Sequence, residues 1–192
     1  MPYIRIQKFG ERNMLNIDNS LFFLIDIQEK LVGMLENGVE IVKNNVIMAK
    51  TAEILNIPII VSEQYPKGLG ATVKELKEHI KSSDIVEKVS FSALNEELIQ
   101  IKLCDSKRTN IILTGIETHI CVYQTAEALL DKGFNVFVVK DACSSRKLKD
   151  YKTALELMRD YGAKLTCVET VLFELIKTSK HPNFREIQAL IK

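Results

Sequence analysis

The feature that most constrains this chain is a repeated switch between short, continuous apolar runs and longer stretches of helical periodicity. Leu21-Phe22-Phe23-Leu24-Ile25 has no polar face, so it reads as a strand buried on both sides. Ile57-Pro58-Ile59-Ile60-Val61 is the next strand, with Pro58 at its start, where a missing N–H is tolerated. Asp84 to Lys88, Asn110 to Thr114, Phe134 to Lys140 and Lys164 to Val168 follow. Helical patterns separate them: Val39, Val42, Val46 and Ala49 at helical spacing, then Thr72 to Ile80, Asn95 to Leu103, Ile120 to Asp131, and Arg146 to Tyr161, with two short helices at the end. Buried strands alternating with helices predict an α/β fold, a three-layer α/β/α Rossmann-like sandwich with a six-stranded, mainly parallel sheet.

The chain has 192 residues, 46% of them apolar. That suits one domain, residues 1–192, with residues 1–19 as an N-terminal extension packed on it. The 26 basic and 25 acidic residues leave a net charge of +1, so no basic surplus is present to neutralise a nucleic-acid backbone. No apolar run approaches the ~20 residues of a membrane span, and Met1-Pro2-Tyr3-Ile4-Arg5 lacks the apolar region of a secretory signal. Arg5, Lys8 and Arg12 hint at a mitochondrial presequence, but Glu11 opposes that reading, and a cytoplasmic location is expected.

In that compartment the four cysteines are expected to be thiols. Their spacing fits no zinc pattern, and the three histidines, His79, His119 and His181, include no metal-ligand pair. Cys104 and Cys167, within apolar stretches, read as buried packing residues, and Cys143 as a structural residue at a strand end. Asp141, Ser144 and Ser145 read as a turn and N-cap for the helix from Arg146.

Open α/β sheets bind ligands beyond the carboxyl ends of their strands. Three residues with complementary chemistry stand at such ends. Asp26 ends an apolar run, and a buried carboxylate needs a partner, although capping the next turn would explain it too. Lys88 closes a short strand, where a surface lysine is the plain alternative. Cys121 follows Thr114-Gly115-Ile116-Glu117-Thr118-His119-Ile120, with Thr118 as the expected N-cap. A thiol in the first helical turn is favoured as thiolate by the helix dipole, and the N–H groups there can hold an oxyanion. The alternative is a small buried apolar residue. An acid, a lysine and a thiol together supply a nucleophile, its base and a cation for the thiolate.

Asp26-Ile27-Gln28, Lys88 with Phe91-Ser92, and Gly115-Ile116-Glu117-Thr118-His119-Ile120-Cys121 resemble the three signatures of isochorismatase-like cysteine hydrolases. Glu63-Gln64-Tyr65-Pro66-Lys67-Gly68-Leu69-Gly70, Asp141-Ala142-Cys143-Ser144-Ser145-Arg146 and His181-Pro182-Asn183-Phe184 resemble the branch of isochorismatase-domain-containing proteins. The resemblance runs from about Leu21 to the C-terminus. It implies Asp26 as general base, Lys88 as thiolate-stabilising lysine and Cys121 as nucleophile. It also implies a cis peptide at Ile116-Glu117 and an oxyanion hole from the N–H groups of Glu117 and Cys121. Gln28, Tyr65, Phe91, Thr118 and His119 are the expected substrate contacts.

The implied reaction is hydrolysis of a small-molecule amide or carbamoyl compound through a thioester, without cofactor or metal, in a homo-oligomer of four or more copies. Nicotinamidases of the family hold a metal through histidines after the second strand; Ser62-Glu63-Gln64-Tyr65-Pro66 offers none. Isochorismatases proper lack the cysteine that is present here as Cys121. The competing readings are a catalytically inactive oligomeric scaffold and a thiol redox protein.

Overall fold

A computed structural model describes residues 14–192. In chain order the strands are β1 (Ser20–Ile25), β2 (Ile59–Gln64), β3 (Ile85–Lys88), β4 (Asn110–Ile116), β5 (Asn135–Ser144) and β6 (Lys164–Thr166). The helices are α1 (Glu29–Val32), α2 (Gly38–Ile54), α3 (Pro66–Leu69), α4 (Lys74–Lys77), α5 (Glu97–Ser106), α6 (Tyr123–Asp131), α7 (Leu148–Asp160), α8 (Val168–Ile176) and α9 (Phe184–Ala189). The expected extension, residues 1–19, falls mostly outside the described residues; from Met14 onward, Leu15 is buried and its N–H donates to Glu174.

The sheet runs β3-β2-β1-β4-β5-β6, and every pairing is parallel. The continuous apolar character of β1 follows from its central place. Phe22 and Leu24 pack into the core beneath α2 and α8, while Leu21, Phe23 and Ile25 pack into the core beneath α5, α6 and α7. Chain order runs one way from β1 to β3 and the other way from β4 to β6. The reversal, between β1 and β4, opens the crevice where ligands bind in such sheets.

Several local expectations are corrected. The stretch from Thr72 to Ile80 is helical only over Lys74–Lys77, because Thr72 instead pairs with Gln28 in an isolated antiparallel bridge. On α2 the buried face carries Ile41, Asn45, Met48 and Ala52, and Val39 stands 88% exposed. Of the other apolar positions at helical spacing, Ala49 is buried and Val42 and Val46 are partly buried against the core. Asn45 is buried because its amide donates to Ile41 O and Ala142 O and its carbonyl accepts the Thr114 hydroxyl, so a polar residue marks the inner face. Asp141 and Ser144 do not form a turn: β5 continues through them, and α7 starts at Leu148. Asp141 instead accepts the Val168 N–H at 2.9 Å and caps α8.

No helix among the described residues is long and apolar enough to cross a membrane.

Candidate active site

The site is assembled by the carboxyl ends of β1, β3 and β4. Asp26 follows β1 with φ 54°, a left-handed conformation that turns the chain off the strand. Its N–H donates to Ser62 O, and its Oδ1 accepts the Ser62 hydroxyl at 2.7 Å. Lys88 ends β3, and its Nζ lies 2.7 Å from Asp26 Oδ2, with both side chains fully buried. The ammonium also faces Gln64 Oε1 at 2.6 Å and the carbonyls of Ser90 and Phe91, each at 3.3 Å. Buried charges survive only when paired and hydrogen-bonded in this way.

Cys121 is buried, and its thiol feels the charges of both Asp26 and Lys88. The structure thus brings the three residues singled out at separate strand ends into one cluster. The Ile116–Glu117 peptide is cis, as the resemblance implies. The turn that follows it differs from the expected helix start. Thr118–Val122 forms a wide π-helical turn before α6, and the Glu117 carbonyl accepts the N–H groups of Ile120 and Val122. Thr118 does not cap this turn; its hydroxyl donates to Ser144 O at 2.9 Å.

Electrostatics also correct an expectation. A thiol at a helix start was expected to be favoured as thiolate. Here burial, reinforced by the Asp26 carboxylate, outweighs Lys88 and pushes the Cys121 thiol up to about 12. Burial likewise raises Asp26 above the usual carboxylate range, against the opposing pull of Lys88, Ser62 and Cys121. The resting sulfur is therefore a thiol that keeps its proton at neutral pH.

Around the cluster, Gln28 is fully buried and committed. Its amide donates to Gln64 O and Gly70 O, and its carbonyl accepts the Gln64 N–H. Tyr65 and Phe91 are about half exposed. Tyr65 borders a cavity of about 340 Å³ whose wall also includes Lys88, Val89 and Glu96. Thr118 is buried, and His119 is partly buried with Nδ1 2.9 Å from Ser145 Oγ. Sequence reasoning assigned no role to Gln64 and Ser62, which hold the ion pair from its flanks, although both are visible as polar residues closing an apolar strand.

The other thiols are unequal. Cys143 is buried, but Cys104 is exposed on α5 rather than packed, and Cys167 is partly exposed, 3.0 Å from Thr170 Oγ1. Glu63, on β2, accepts the Thr72 N–H at 2.6 Å and lies 4.0 Å from Lys77.

The isochorismatase domain family matches residues 20–170. The chain belongs to the isochorismatase family. It is 44% identical over 189 residues to isochorismatase domain-containing protein 2 of Xenopus laevis, covering 97% of this chain and 87% of that protein. Among solved structures it is similar to the MAR1 ribonuclease of Caenorhabditis elegans, with TM-score 0.88, 42% identity and coverage of 93% of this chain and 92% of that one. The YcaC gene product of Escherichia coli, an octameric hydrolase of unknown specificity, shares the fold at TM-score 0.84 and 22% identity, covering 98% of this chain and 97% of its own. The isochorismatase fold in this chain therefore carries an acid, a lysine and a thiol at the crevice where its strand order reverses.

Proposed function

We propose that this isochorismatase-family protein is a cysteine hydrolase of a small-molecule amide or carbamoyl compound. The observation that carries the reading is the buried Asp26–Lys88 ion pair with the buried Cys121 thiol in its field. Asp26 takes the thiol proton as sulfur attacks the carbonyl carbon. A C–S bond forms, and the carbonyl electron pair moves to oxygen, held by the N–H groups of Glu117 and Cys121. The oxyanion collapses, the C–N bond breaks, and Asp26 returns the proton to the leaving nitrogen. Water then attacks the thioester, giving one proton to Asp26 on entry, and the thiol is reprotonated from it as the acid departs.

Burial gives this transfer its character. Asp26 and Cys121 are both raised, so the carboxylate is a stronger base than one in water. The Lys88 ammonium faces both groups, so negative charge passing from carboxylate to sulfur stays beside the same cation.

The test is a panel of small amides and carbamoyl compounds with ammonia detection, together with intact-mass analysis for an acyl adduct on Cys121. Turnover by the wild type and its loss in Cys121→Ala are expected. Hydrolysis retained by Cys121→Ala overturns the nucleophile. Failure of the wild type across the panel favours the scaffold reading, and peroxide-dependent oxidation of Cys121 without turnover favours the redox one.

The ribonuclease description of the C. elegans relative prompts a second reading, cleavage of RNA. Against it stand the chain's net charge of +1 and the burial of Lys88 against Asp26, which withholds that cation from a phosphate. RNA incubated with wild type and Cys121→Ala decides between them. A cytoplasmic homo-oligomer is part of the same proposal; the octameric assembly of the Escherichia coli neighbour supports the oligomer, and light scattering measures it.

A further inference from the structure

The Cys121 turn is tied to the chain just after β5 by three adjacent side chains. The Glu117 carboxylate is buried, and its Oε1 is bound by the Arg146 guanidinium. Its Oε2 is buried with no hydrogen bond and faces His119 Nε2 at 3.4 Å. Thr118 donates to Ser144 O, and His119 Nδ1 meets Ser145 Oγ. The Arg146 side chain is 53% exposed, so it reaches from solvent to a buried acid.

Resting on the cysteine-hydrolase reading above, we propose that Arg146 is a positioning residue, which acts through Glu117 to set the backbone of the nucleophile turn for addition to a carbonyl. Glu117 contributes two things to that turn. Its carbonyl closes the turn by accepting from Ile120 and Val122, and its own N–H is one of the proposed oxyanion donors. A buried carboxylate deprived of its cation swings toward water or takes up a proton. Either response releases the residue whose backbone carries the donor. Catalytic donors lose their effect when misplaced by as little as ~1 Å. The charged groups that act on the Cys121 sulfur are Asp26 and Lys88, not Arg146 or Glu117, so the loss falls on the oxyanion rather than on the nucleophile.

Two small probes separate these effects. p-Nitrophenyl acetate acylates a thiol through a tetrahedral oxyanion, releasing p-nitrophenol. Iodoacetamide alkylates it by displacing iodide and forms no oxyanion. Labelling at Cys121 is followed by mass spectrometry on the full-length protein, with exposed Cys104 as internal reference. Arg146→Ala is expected to slow acylation of Cys121 at least tenfold, and to leave its alkylation within threefold and Cys104 unchanged. Arg146→Lys is expected to recover at least half of the acylation rate, because an ammonium still pairs with Glu117. A purely structural role predicts instead that both probes change together. Equal effects on both probes, or acylation at the wild-type rate in Arg146→Ala, overturn the proposal. Alkylation without acylation in the wild type removes the oxyanion donors and the proposal with them. Wild-type protein labelled at Cys121 by neither probe overturns the underlying nucleophile as well.

Discussion

Lys88 Nζ lies 2.7 Å from Asp26 Oδ2, and neither side chain meets solvent. The pair joins the end of β3 to the end of β1 across β2, so it is both a structural bond and the electrostatic floor of the site. Breaking a buried pair from one side costs about 3–5 kcal/mol, because the other charge is left uncompensated. Lys88→Met is expected to lose stability in that range by urea unfolding at pH 7. Asp26→Asn combined with Lys88→Met is expected to cost clearly less than the sum of the single changes. Additive costs would show that the charges do not depend on one another.

Gln64 presents its carbonyl to the same ammonium at 2.6 Å and fixes its amide by donating to Val89 O. A hydrogen bond to a charged group is worth about 1.5–3 kcal/mol. Gln64→Leu should lose about 2 kcal/mol of stability and slow iodoacetamide labelling of Cys121 severalfold, since Lys88 is then free to shift. Unchanged labelling would mean that Asp26 and the two carbonyls hold Lys88 by themselves.

Gly115 on β4 stands opposite Ile25 on β1 with no room for a side chain. Its φ is +140°, and a Cβ there would lie 2.3 Å from Ile25 O and 2.6 Å from Ile25 Cβ. Overpacking and an unfavourable φ each cost about 1–3 kcal/mol. Gly115→Ala is expected to destabilise by about 3 kcal/mol or more, read as a fall in the denaturation midpoint. A midpoint near wild type would show that the two strand ends separate easily.

Burial, with a smaller contribution from Asp141, pushes the Cys143 thiol up to about 12 from 9.0. The folded chain therefore keeps this proton at pH values where the unfolded chain has lost it. The resulting stability is fully present below pH 9 and is lost as pH rises through about 12. Each such group steepens the alkaline limb by up to about 1.4 kcal/mol per pH unit. Cys143→Ala should flatten that limb, measured by urea unfolding at several pH values from 7 to 10.5. Parallel curves for wild type and variant would refute the linkage.

The three residues that meet in the site were visible because each interrupts or closes an apolar strand, where a polar side chain has no packing role. Their supports were less visible. Ser62 and Gln64 sit in β2 and look like ordinary strand-end residues; only the pairing of β2 between β1 and β3 turns them toward Asp26 and Lys88. Thr118 has the composition of a helix cap, yet the register that sets Ile116 against Ser144 gives its hydroxyl a nearer acceptor. The burial of Asn45 on α2 was not legible, because its partners, Thr114 and Ala142, lie far along the chain. Cys104 stands on the outward side of α5, which apolar neighbours in sequence do not reveal.

The reversal of strand order also divides the site by chain position. Asp26 and Lys88 belong to the segment that forms β1, β2 and β3, whereas Cys121 arrives only with β4. The strand pair that joins them sets Ser20 beside Asn110, a contact between residues 90 apart (110 − 20). Contacts this remote in sequence carry a large loop-closure cost and form slowly. The zipping of β1 to β4 is thus the step that brings the Cys121 turn to the ends of β1 and β3. A change that delays this pairing delays the assembly of the cluster without altering any residue that belongs to it.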